Sequence, residues 1–171
     1  MAATPTSLFA RKAPGIMDQL MRDFGFSLEQ AAGVLGNIGR ESGGFRHLRE
    51  LGQPAGKGGY GWCQWTGPRR DRFLNWCRER GLDWTADAAN YGYLAHELGA
   101  DYRGTVAAVR VCHDLAGATQ AFEQHFEAAG VPALDDRIRW AEQARAAYLA
   151  AHVKGHPPGP TGSCRPAATR L

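Results

Sequence analysis

Apolar residues recur along most of the chain at three- and four-residue spacing, which is the signature of amphipathic helices. Ile16, Met17, Leu20, Met21 and Phe24 fall on one face of a helix that Pro14 opens and Gly25 ends. Ser27 with Gln30 makes a capping-box start for the next. Leu28, Ala31, Ala32, Leu35 and Ile38 are its buried stripe, and Gly43-Gly44 stops it. Pro68 and Gly81 bracket a helix over 68–80, and further helices are expected over 87–98, 104–113, 117–128 and 135–150. Asp87 and Asp135 suit their caps, and Gly99 and Gly130 their stops. Between the second and third helices, residues 50–67 hold six glycines and read as a loop with at most a short β-hairpin. No run alternates with period two. The predicted fold class is mainly α, a helical domain with a small Gly-rich insert.

Composition narrows this picture. The 171 residues are 44% apolar and 22% charged, which suits one globular domain with a sizeable core. Residues 1–12 read as a flexible arm, 13–151 as the folded body and 152–171 as a disordered tail. Residues 154–171 carry four of the nine prolines and too little apolar surface to offset ordering. The net charge of +3 is too small to argue for nucleic acid, and the arginines are spread among acids. No apolar run is long enough to span a membrane, and the N-terminal stretch does not read as a secretory signal. The four cysteines form no CxxC pair and have no histidine at zinc spacing, so neither a metal nor a cofactor is expected. Reduced structural thiols are the default, with one disulfide left open.

Two stretches carry candidate chemistry. At about 100° per residue, Glu41 lies beside Ile38 and Val34, at the rim of the apolar stripe and in the last turn of its helix. Desolvation and the negative end of the helix dipole both favour the protonated carboxyl there, the form a general acid needs. On spacing alone, a surface acid at a frayed helix end is the simpler account. The second stretch, Gly59-Tyr60-Gly61-Trp62-Cys63-Gln64-Trp65, sets three aromatics in a Gly-rich loop. Exposed rings there would offer flat platforms for sugars and Gln64 a donor and an acceptor, while at least one tryptophan is expected to plug the insert onto the helices.

Together, Gly36-Asn37…Glu41-Ser42-Gly43 and Gly59-Tyr60-Gly61…Gln64-Trp65 resemble the "GN…ESG" and "GYG…QW" segments of the phage tail lysozyme family. This is a branch of the lysozyme-like superfamily that includes goose-type lysozymes and lytic transglycosylases. Arg69 and the later Phe122…Phe126-Glu127…Arg137…Ala141 pattern also match, so the resemblance spans roughly 15–150. It implies a lysozyme-like helical domain that cleaves the β-1,4 bond between N-acetylmuramic acid and N-acetylglucosamine. Glu41 would be the catalytic acid and Gln64 would line the sugar cleft. Tyr60, Trp62, Trp65, Asn37, Ser42 and Glu127 are the further candidate substrate contacts. Trp62 and Cys63 make the Gly-x-x-Gln element bulkier than usual, and Ala128-Ala129-Gly130 stands where the family often has Arg or Pro.

Most glycosidases pair an acid with a second carboxylate. Glu50, Asp71, Glu123 and Glu127 are the candidates, Glu127 favoured by the resemblance. Lytic transglycosylases manage with one glutamate, so hydrolysis and 1,6-anhydro formation both stay open, with muramidase hydrolysis preferred. The expected partner is peptidoglycan glycan strands, with room for an inhibitor, an immunity protein or a phage tail partner. The expected place of action is the wall, in the periplasm or outside the cell, after release by a holin, a phage tail or a secretion machine. A non-enzymatic wall-binding or tail-assembly module is the rival reading. Cys63 lacks the context of a thiol nucleophile, and His47 and His125 read as surface or packing residues. The basic stretch Arg69-Arg70-Asp71-Arg72…Arg80 reads first as a solvated helix face and second as a contact for anionic wall polymer.

Overall fold

A computed structural model describes residues 7–127 and 133–153. Seven α-helices follow in order: α1 Leu8–Phe24, α2 Leu28–Glu41, α3 Gly67–Glu79, α4 Asp87–Gly99, α5 Arg103–Arg110, α6 Leu115–Phe122 and α7 Leu134–Val153. A π-helical turn, Glu123–Glu127, continues α6. Among the described residues there is no strand, only isolated bridges pairing Tyr60 with Arg49 and with Trp65. The mainly-α expectation therefore holds, with the insert as a loop pinned by single bridges. No helix among these residues is long and apolar enough to cross a membrane. The Gly130 stop, Cys164 and most of the tail lie outside the described residues.

The first helix starts earlier than Pro14 suggests. The Ser7 hydroxyl accepts from the Ala10 amide at 3.1 Å and caps the helix there, leaving Pro14 inside it. Phe9 and Ala13 thereby join Ile16, Met17, Leu20 and Phe24 on the buried face, and Gly25 ends the helix at φ 63°. The caps at the other helices are also displaced: Asp87 is the first helical residue of α4, and Asp135 lies in the first turn of α7. Asp114, not foreseen as a cap, accepts from the Gly117 amide and starts α6. The expected helix over 117–128 is divided, because its second half widens into the π turn.

The larger difference concerns α2. Its capping box is present as expected, Gln30 N donating to Ser27 Oγ and Ser27 N to Gln30 Oε1. The one-sided stripe is not, because every residue from Gln30 to Gly39 is buried. Helices α1, α6 and α7 enclose it, and glycines at every third position let them approach. A Cβ at Gly33 would stand 2.7 Å from the Thr119 nitrogen, and one at Gly36 2.5 Å from the Arg137 carbonyl oxygen. At Gly39 it would meet the Phe9 ring at 2.8 Å. Helix α2 is thus the axle of the bundle, and Glu41 sits at its end.

Candidate active site

A cavity of about 260 Å³ opens where the end of α2, the 63–66 loop, the start of α3, the π turn and the start of α7 meet. Glu41, Gln64, Arg69, Glu127 and Arg137 line it, together with Cys63 and Arg40. A wider groove, about 710 Å³, lies between α1 and α4, but its acids Asp18 and Asp87 are already engaged by Tyr148 and Lys12.

Arg137 organises the carboxyls. Its side chain is only 3% exposed and uses three nitrogens on three partners. Nε donates to Glu123 Oε1 at 2.9 Å, Nη1 to Asn37 Oδ1 at 3.1 Å and Nη2 to Glu41 Oε1 at 2.7 Å. The planar fork fixes the geometry of all three, as a lysine could not. Glu41 keeps 24% side-chain exposure, so it is a cavity group and not a free surface acid. Across the cavity Arg69 plays a parallel part, giving Nε and Nη2 to the two oxygens of Glu97 at 3.0 and 2.7 Å. Burial disfavours its charge, but the hydrogen bonds and charge of Glu97 outweigh this and raise its pKa. The guanidinium also lies over the rings of Phe126 and Tyr102.

Glu127 differs from every other acid in the site. Its Oε1 is shut off from solvent and has no hydrogen-bond partner. Burial first, and the nearby Glu41 charge second, push its carboxyl from 4.5 up to about 8, against the opposing charges of Arg137 and Arg69. At neutral pH Glu127 holds a proton. The other candidates for a second carboxyl are elsewhere or otherwise occupied. Glu50 accepts from the Gly59 amide, Asp71 is exposed beside Arg70, and Glu123 is sealed between Arg137 and the Ala133 amide.

The expected aromatic platform does not exist. Tyr60, Trp62 and Trp65 are 8%, 1% and 1% exposed, so their rings are core. Trp62 packs on Phe45, and Tyr60 on Trp84. Trp65 packs on Phe73 and Tyr93 and donates its indole N–H to Glu97 at 2.7 Å. Rings of this size stabilise far more when buried than when exposed, and a loop with six glycines has little else to anchor it. Trp65 still borders the cavity. Asn37 and Ser42 are also fully buried. Asn37 bridges Gly33, Thr119 and Arg137, while Ser42 ties the Ile38 carbonyl to the Phe45 amide. Both shape the end of α2 and neither lines the cavity.

Gln64 is where the loop reaches the cavity. It holds φ 47°, a left-handed conformation uncommon outside glycine, and its Nε2 donates to the carbonyls of His47 and Gly61. Its amide is thus oriented in advance. The Cys63 thiol is raised well above its ordinary value by burial and by Glu127, so it stays protonated and un-nucleophilic. Cys63, Cys77 and Cys112 are free thiols. Arg69, from the basic stretch, is the cavity arginine, whereas Arg70 pairs with the exposed Asp71.

The sequence reading missed the Arg69–Glu97 pair, the role of Glu123 and the hub at Arg137. The last had only one trace, the Phe126-Glu127…Arg137 spacing. A comparison with curated proteins finds no match. The pattern that defines phage tail lysozymes matches residues 11–148, a span that takes in the axle helix, the pinned loop and the three cavity arginines. The chain belongs to the phage tail lysozyme family, a membership that points to lysozyme-like action on peptidoglycan.

Proposed function

We propose that the protein is a muramidase that hydrolyses the β-1,4 bond between N-acetylmuramic acid and N-acetylglucosamine, with Glu41 as the general acid. The observation that carries this reading is the pair of carboxyls, Glu41 and Glu127, in one cavity framed by Arg69 and Arg137. With Oε1 held by Arg137, the other oxygen of Glu41 is the one available to a glycosidic oxygen. Gln64, oriented by its two carbonyl contacts, would hold the sugar. A second carboxyl favours hydrolysis over anhydro formation, since a transglycosylase uses the substrate's own hydroxyl and needs no base for water. A wall-binding module without turnover would gain nothing from a buried Glu127 carboxyl whose ionisation the neighbouring Glu41 disfavours.

The test is digestion of purified murein with wild-type protein and Glu41→Gln, followed by mass spectrometry of the muropeptides. Wild-type protein is expected to release fragments with reducing ends and Glu41→Gln to release none while keeping its fold. 1,6-Anhydro ends would replace hydrolysis with transglycosylation. Full lysis by Glu41→Gln would remove the role given to that residue.

A further inference from the structure

The charges around the cavity leave one asymmetry. Arg69 is matched by Glu97, and Arg137 by Glu123, through short hydrogen-bonded contacts. Arg137 also holds Glu41 at 2.7 Å and is thus divided between two carboxylates, and Arg40 at the cavity rim is engaged by Asp136, so Glu127 has no ion pair of its own among the described residues. Two carboxylates sharing so small a cavity cannot both ionise cheaply, so the pair retains a proton. The geometry also says which member holds it at rest. Glu41 accepts a guanidinium N–H on Oε1, the contact of a carboxylate, whereas Glu127 Oε1 is buried without a hydrogen-bond donor and feels Arg137 and Arg69 only at a distance.

We propose that Glu127 is the second catalytic carboxyl of this enzyme and that Glu41 and Glu127 work with a single shared proton. This rests on the muramidase reading. At rest Glu127 is the acid and Glu41 the carboxylate. The proton passes to Glu41 through a water bridging the two in the cavity. Glu41 gives it to the glycosidic oxygen as the bond to the anomeric carbon breaks, the bonding electron pair leaving with that oxygen. Glu127, now the carboxylate, takes a proton from the water that attacks the anomeric carbon. One water is consumed, one glycosidic bond is lost, one reducing end forms, and both carboxyls return to their starting states. Arg137 and Arg69 offset the transient charge on Glu127, while Glu97, Glu41 and the neighbouring Cys63 thiol complete the groups that face it.

The test compares wild-type protein, Glu127→Gln and Glu127→Asp on murein, with initial rates from about pH 5 to pH 9. Glutamine imitates the protonated carboxyl in shape but can neither give nor take the proton. We expect kcat to fall ~100-fold or more with KM nearly unchanged, and aspartate to restore part of it. Wild-type rates should decline on the alkaline side as the pair loses its proton, a limb that should move to lower pH in the residual activity of Glu127→Gln, where Glu41 must carry the proton alone. Carbon NMR titration of the glutamate carboxyls provides a readout independent of turnover. Glu127 should titrate above neutrality in the wild type and lower in Glu41→Gln, while burial still holds it above the ordinary glutamate range. A Glu127→Gln enzyme within a few-fold of wild type, or a Glu127 that titrates as an ordinary glutamate, overturns the inference while leaving the muramidase reading intact. Wild-type protein that releases no muropeptide overturns both. If Glu127→Gln does not fold, the wild-type titration decides.

Discussion

Replacing Arg137 by methionine keeps most of the apolar bulk and removes the guanidinium that joins α2, the π turn and α7. The magnitude follows from what is left behind. Glu123, with a side chain 9% exposed, retains only the Ala133 amide as a partner and becomes a buried charge without compensation. Breaking a buried pair in this way costs about 3–5 kcal/mol. Asn37 Oδ1, fully buried, loses its guanidinium donor, which adds about 1–3 kcal/mol. Glu41 is partly exposed and can be hydrated instead, so it adds little. The expected destabilisation is about 5 kcal/mol, comparable with the whole stability of many domains. Combining Arg137→Met with Glu123→Leu should recover several kcal/mol, because the stranded charge is gone. Urea unfolding of the two variants at neutral pH, followed by circular dichroism, measures both. A single variant that loses only about 1 kcal/mol, or a double variant worse than the single, would refute the hub argument.

Other outcomes are as specific. Because Glu127 titrates at about 8 in the fold against 4.5 in the open chain, the native state keeps a proton that the unfolded state releases, and stability falls as pH rises through that window. Glu127→Gln lacks this loss, so denaturant titrations should show its stability gaining about 3 kcal/mol on wild type between about pH 4 and pH 7. Gly36→Ala forces a methyl against the Arg137 carbonyl and Ala141, and calorimetry should show a loss of at least about 1–3 kcal/mol. Trp65→Ala should act on melting temperature before glycan binding, since it opens a cavity beside Phe73 and removes one of the two donors to Glu97 Oε2, at about 3–5 kcal/mol.

Local rules made much of the fold legible. The Ser27–Gln30 capping box, the Gly25 stop and the position of α3 after Pro68 depend on residues a few places apart, and they came through to within a residue or two. Pro14 misled because proline permits a helix start without requiring one, and Ser7 caps earlier. The stripe on α2 misled because periodicity records apolar side chains, and the glycines that open its other faces carry none. The site divides the same way. Glu41 and Gln64 were visible through motif spacing. The demotion of Tyr60, Trp62 and Trp65 to core, and the burial of Glu127, which the resemblance had already favoured over Glu50, Asp71 and Glu123, depend on contacts between distant segments. Arg137 reaches Glu41 across 96 residues of chain, a pairing that no local pattern encodes.

Helix α2, wrapped on every side, also bears on how the protein ages and heats. Its amide hydrogens should exchange with solvent only when the entire domain opens, whereas the short α5 can fray on its own. Glu41 hangs from the most protected segment, so warming that loosens the periphery leaves it in place. Thermal inactivation should then coincide with global melting and not precede it.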